Sequence, residues 1–107
     1  MKTRIYVSYN CGGWSLCFKT DIELPFTPFY EMSLMFDDEA SFHVTNNNYT
    51  TSTIYYDLVK NRFLIEIRNN WGRGVRDDVV DEALEIHSGW DRIDTTDINK
   101  LKDLMRN

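Results

Sequence analysis

Several groups of residues in this 107-residue chain carry side chains that could do chemistry. Cys11 with His43 or His87 would make a thiol and imidazole pair, and a cysteine nucleophile needs a thiolate held by an imidazole or a helix N-terminus. Neither histidine lies in a motif, and Cys11 falls in the turn Asn10-Cys11-Gly12-Gly13 rather than at a helix start. The plain reading is a turn cysteine and two ordinary histidines, with His87 a cation favoured near a helix C-terminus. Trp71 stands among Arg68, Arg73 and Arg76. An aromatic platform beside guanidinium groups can stack a base and pair a phosphate, so these four residues form a candidate ligand or RNA site. Gly72-x-Gly74 before a helix has the start of a phosphate loop, but the full dinucleotide and Walker patterns are absent, and Asp77 and Asp78 would repel phosphate. Asp37-Asp38-Glu39 offers hard oxygens without the alternating ligands and central glycine of a calcium loop. No CxxC, HxxxH or HExxH occurs, and nothing singles out a catalytic pair among the seventeen acids. Neither a metal nor a cofactor is expected, and the chain reads as non-enzymatic.

The acids themselves form the remaining constellation. Residues 1–74 hold 8 acidic and 7 basic side chains, whereas residues 75–107 hold 9 acidic and 5 basic ones. Asp77, Asp78, Asp81, Glu82, Glu85 and Asp91 fall in a stretch whose only base is Arg92, giving the C-terminal end a field of one sign. A solvated helix face is the plain account. The sharper one is a docking surface for a protein with a basic surface, including a nucleic-acid channel in which carboxylates occupy phosphate positions. A pI near 4.9 disfavours direct nucleic-acid binding.

The elements that must position these groups follow from apolar spacing. Around Trp71 the period changes from two to three or four. Ile5, Val7 and Tyr9 alternate with polar neighbours, as do Trp14, Leu16 and Phe18, and a four-residue turn would oppose Tyr9 to Trp14, Val7 to Leu16 and Ile5 to Phe18. A second hairpin spans Tyr30 to Val44. A third opposes Leu58 to Phe63, Tyr56 to Ile65 and Ile54 to Ile67. Val75, Val79, Ala83 and Ile86 then define the inner face of a helix over about 75–87, with Gly89 as its stop, and a threonine-capped helix follows over about 96–105. Trp90 is placed as a plug between the two helices. The expected fold is therefore a single α+β domain over 1–107: a mainly antiparallel sheet of about three hairpins, followed by two C-terminal helices packed on one face.

Cys11 and Cys17, separated by a turn and a strand start, are too far apart to bridge, which fits a reducing compartment. No window approaches a membrane span, so a soluble, cytoplasmic protein is expected. Unpaired sheet edges make a homodimer a further expectation. The short, acidic, aromatic-rich format, with two alanines beside nine asparagines, is reminiscent of small phage or mobile-element accessory proteins. The leading expectation is a protein-binding modulator or inhibitor that docks a basic partner through its acidic helical face. The alternative is a ligand- or RNA-binding module built on the Trp71/Arg73 loop.

Overall fold

Strand β1 (Lys2–Asn10) is buried on both faces: Ile5, Val7 and Tyr9 on one, Arg4, Tyr6 and Ser8 on the other. Such a strand needs a neighbour on each edge and a covered surface above and below. In the computed structural model, which describes residues 1–35, 41–72 and 77–95, β1 lies at the centre of a five-stranded sheet. It is flanked by β2 (Ser15–Glu23), antiparallel, and β6 (Arg62–Asn70), parallel. The outer strands are β5 (Thr50–Asp57), antiparallel to β6, and β7 (Asp91–Thr95), antiparallel to β2. A separate two-stranded sheet is formed by β3 (Ser33–Met35) and β4 (Ser41–His43).

The core gathers on one face of the large sheet, where Ile5, Val7, Tyr9, Leu16, Phe18, Ile65 and Ile67 form a continuous apolar layer. Met32, Leu34 and Val44 bring the small sheet into the same cluster, and helix α1 (Asp77–Ile86) joins it through Val80, Ala83 and Leu84. Gly89 stands just past the helix at φ 88°, a left-handed conformation that costs glycine little, and the Trp90 N–H donates back to the His87 carbonyl at 3.0 Å.

The expected fold needs correction. The sheet is mixed: three of its four strand pairings are antiparallel as expected, but β1 pairs with β6 in parallel across some sixty residues of chain. The hairpin from Tyr30 to Val44 forms, but it stands outside the large sheet. Two helices were expected after the strands; α1 is the one helix among the described residues. The segment leading into the second is a strand, β7, whose last residue is Thr95, one of the two threonines (Thr95 or Thr96) that could cap the expected helix. The helix expected over 96–105 lies outside the described residues. No helix among the described residues is long and apolar enough to cross a membrane.

The two long hairpins form with a register two residues from the expected one. Tyr9 opposes Leu16 and Val7 opposes Phe18, because the turn takes Cys11 through Trp14 and leaves Trp14 outside the ladder, 40% exposed. Ile54 opposes Ile65 and Tyr56 opposes Phe63, because Asp57 Oδ1 accepts the N–H groups of Val59 and Lys60 (2.9 and 3.1 Å) and Asn61 adopts φ 51°. These bonds pull Leu58 out of the strand. A slip of two preserves which face each side chain takes, so Leu16, Phe18, Ile65 and Ile67 are buried, Ile54 is partly buried, and Trp14, Tyr56 and Leu58 are exposed.

Candidate functional site

Helix α1 has the sequence DDVVDEALEI, with acids in its first turn and no base in its last. Its inner positions are Val80, Ala83, Leu84 and the following His87, a spacing of three, four and seven. The face expected from sequence, Val75, Val79, Ala83 and Ile86, is rotated from this one and shares only Ala83; Val75 lies outside the described residues. The difference turns on His87, expected as a cation favoured near the helix C-terminus. It is instead almost fully buried.

His87 Nε2 lies 2.8 Å from the Tyr9 hydroxyl, the ring stacks on Phe18 at 4.5 Å between centroids, and Trp90 meets it edge-on at 4.6 Å. Burial pushes the imidazole down to about 4, so it is neutral at pH 7. Trp71 also packs against Tyr9, its ring tilted by 36° at 4.3 Å between centroids. This aromatic group locks the C-terminal end of α1 to the sheet and fixes which way the outer face of the helix points. Asp77, Asp78, Asp81, Glu82 and Glu85 are all exposed. Asp91 is exposed as well, but it belongs to β7 and lies opposite Lys19, on the side of the sheet that carries Arg4. Five of the six predicted carboxylates are thus brought together on α1, and the sixth is apart from them.

The second sheet face is polar and has its own organisation. Arg4 donates to both carboxylate oxygens of Asp21 (2.8 and 3.0 Å), which holds the Asp21 carboxyl below its ordinary range. Glu66 is buried, accepts from Arg68 and lies 3.5 Å from the Tyr55 hydroxyl. Tyr6 and Cys17 are fully buried here against Ile93. The four residues of the alternative ligand site do not converge among the described residues: Arg68 pairs with Glu66 on this polar face, Trp71 packs against Tyr9 on the apolar one, and Arg73 and Arg76 lie outside the described residues. Among the described residues no three His, Cys, Asp or Glu side chains gather as a metal site. An open groove of about 430 Å³ at one end of the sheet is lined by charges of both signs, including Lys2, Asp21, Glu23, Lys60 and Arg62. It favours no single class of ion.

The buried Glu66 and the Tyr9–His87 pair escaped sequence reasoning. Glu66 did leave a signal, since a carboxylate inside the run Phe63-Leu64-Ile65-Glu66-Ile67 must find a partner if the strand is central. His87 left none beyond its position one helical turn after Ala83.

The cysteines occupy opposite faces of the sheet. Cys11 belongs to the apolar cluster and Cys17 packs with Tyr6. Both are free thiols, and burial pushes the Cys11 thiol up, away from the thiolate that a nucleophile requires. Alkylation by iodoacetamide at pH 8, followed by mass spectrometry, is expected to modify neither site quickly in the native protein and both rapidly in denaturant. Fast native labelling of Cys11 would restore it as a nucleophile candidate.

No protein-family model matches this chain, and neither a curated protein nor a solved structure does.

Proposed function

We propose that the protein is a non-enzymatic binding domain that docks a basic protein partner through the outer face of α1. The observation that carries this reading is the charge arrangement on that helix: five exposed carboxylates and no base. Folding accounts for only part of it. Asp77 and Asp78 complement the helix dipole, but Glu85 sits at the unfavourable end. Asp78 and Glu82, like Asp81 and Glu85, are like charges four residues apart, a spacing that costs an isolated helix about 0.2–0.5 kcal/mol per pair. The charge beyond what the dipole rewards gains its value from a complementary surface, where such charges accelerate association and select the partner. A modulator or inhibitor that fills a basic channel, with carboxylates standing where phosphates would, fits this chemistry. Two free thiols support a reducing compartment such as the cytoplasm.

The test is capture of partners from the source cell with the wild-type protein and with a variant carrying Asp78→Lys, Glu82→Lys and Glu85→Lys. All three positions are exposed, so the variant is expected to keep its circular dichroism and unfolding midpoint while losing the captured protein. Wild-type association should slow as added salt shortens the Debye length from ~10 Å towards ~3 Å. Equal capture by both proteins, without salt dependence, would reduce the acidic face to solvated surface.

A further inference from the structure

The two edges of the large sheet are built differently. The five residues of β7, DRIDT, include three charges, the usual defence of an edge strand against pairing with another chain. The eight residues of β5, TTSTIYYD, include one, at the far end, with no proline and no lysine. Among the described residues, only the first half of β5 is shielded. Asn47 accepts the Thr50 N–H through its side chain (2.8 Å) and donates its own N–H to the Thr50 carbonyl (2.8 Å), while Asn46 Oδ1 accepts the Ser52 N–H (2.7 Å).

These bonds fix which backbone groups of β5 face outward. Residues of an antiparallel strand alternate between its two neighbours. Thr50 and Ser52 point away from β6, so Ile54 and Tyr56 do too, and their N–H and C=O groups have no partner among the described residues. The side chains around them are exposed: Tyr55 by 42%, Tyr56 by 48%, and in the adjoining turn Leu58 by 80% and Val59 by 89%.

We propose that the second half of β5 is a homodimer interface in which two copies pair antiparallel about a two-fold axis at Tyr55. In this register Ile54 faces the second copy's Tyr56, and each pair exchanges N–H to C=O bonds in both directions. The unpaired groups of Ile54 and Tyr56 are thereby satisfied by their own counterparts. Registers centred on Thr53 or Ile54 would need the Ser52 N–H, which Asn46 already holds. The Asn46-Asn47 loop therefore sets the register as well as guarding the strand.

Side-chain chemistry agrees with that pairing. Tyr55 meets the second copy's Tyr55 at the axis, Ile54 packs beside Tyr56, and Asp57, the only charge in the strand, opposes Thr53 rather than another acid. An unrelated extended peptide could use the same backbone groups, but nothing in the strand selects one. The two-fold pairing, in contrast, uses each exposed feature of this edge twice.

Hydrogen exchange on the full chain, across a concentration series from micromolar to millimolar, tests the proposal alongside sedimentation equilibrium. Protection of the Ile54 and Tyr56 amides is expected to rise with protein concentration, in step with dimer mass. The Thr53 and Tyr55 amides, bonded to β6, should be protected throughout. Tyr56→Pro removes an outward N–H without touching the ladder to β6, and Tyr55→Lys sets two ammonium groups opposite each other. Each is expected to weaken the dimer by about tenfold or more. Met35→Lys, at an exposed position of the small sheet, should not. A wild-type protein that stays monomeric with concentration-independent exchange at Ile54 and Tyr56 would overturn the proposal, as would a dimer indifferent to both β5 variants.

Discussion

Truncating Ile65 to alanine is expected to destabilise the protein by ~2–5 kcal/mol, the range for removing a buried aliphatic side chain whose surroundings relax only partly. Ile65 is fully buried, opposes Ile5 on one side and Ile54 on the other, and lies in the apolar layer beneath α1. Its loss would open a void at the join between the parallel and antiparallel halves of the sheet. Leu58→Ala, in the exposed turn that closes the same hairpin, should shift stability by less than about 0.5 kcal/mol. Urea unfolding of the two variants beside wild type measures both. Similar midpoints for the pair would contradict the interior position of β6.

Lowering the pH is expected to destabilise the protein through His87. The folded protein holds this imidazole at about 4, against an ordinary 6.5, because burial disfavours the charged ring. Between those values the unfolded chain binds a proton that the folded protein does not, so stability is complete above pH 6.5 and falls as the pH drops towards 4. The full loss amounts to about 3 kcal/mol. Asp21 acts in the same direction only at lower pH, since its ordinary value of 3.8 is already below most of this window. Urea midpoints at pH 7 and pH 5 should therefore differ for wild type and draw together for His87→Gln, which keeps a polar partner for Tyr9 but does not titrate. A wild-type midpoint that does not move between pH 7 and pH 5 would mean that His87 is solvated when folded.

Period-two alternation located β1, β2, β5 and β6, and it assigned Leu16, Phe18, Ile65 and Ile67 to the buried face, because a strand pattern depends on parity alone. Register depended on polar side chains bonding to nearby backbone, Asp57 above all, and spacing carries no information about that. The parallel pairing of β1 with β6 was missed because hairpins were assembled from adjacent strands, although the near-continuous run of strand-forming residues from Thr3 to Tyr9 is what a strand covered on both faces requires. β7 was missed for the opposite reason: an edge strand with one apolar side chain, Ile93, between charges has almost no periodic signature. The candidate site was more legible than the fold around it. Asp77, Asp78, Asp81, Glu82 and Glu85 share a helix as their spacing implied, while Asp91, past Gly89 in the expected link between two helices, begins β7 instead.

The position of β1 also governs the order in which this protein can assemble. The middle strand of the sheet is synthesised well before β6, and Ile5 cannot meet Ile65 until the ribosome has produced some sixty further residues. The hairpin of β1 and β2 is available early, but alone it would leave Ile5, Val7, Leu16 and Phe18 open to water. Closure across such a long loop must precede the contacts that reward it, which places folding among the slower, nonlocal topologies rather than the fast helical ones. During that interval the nascent chain displays an apolar ribbon with a free edge on β1, the situation in which a holding chaperone is most useful.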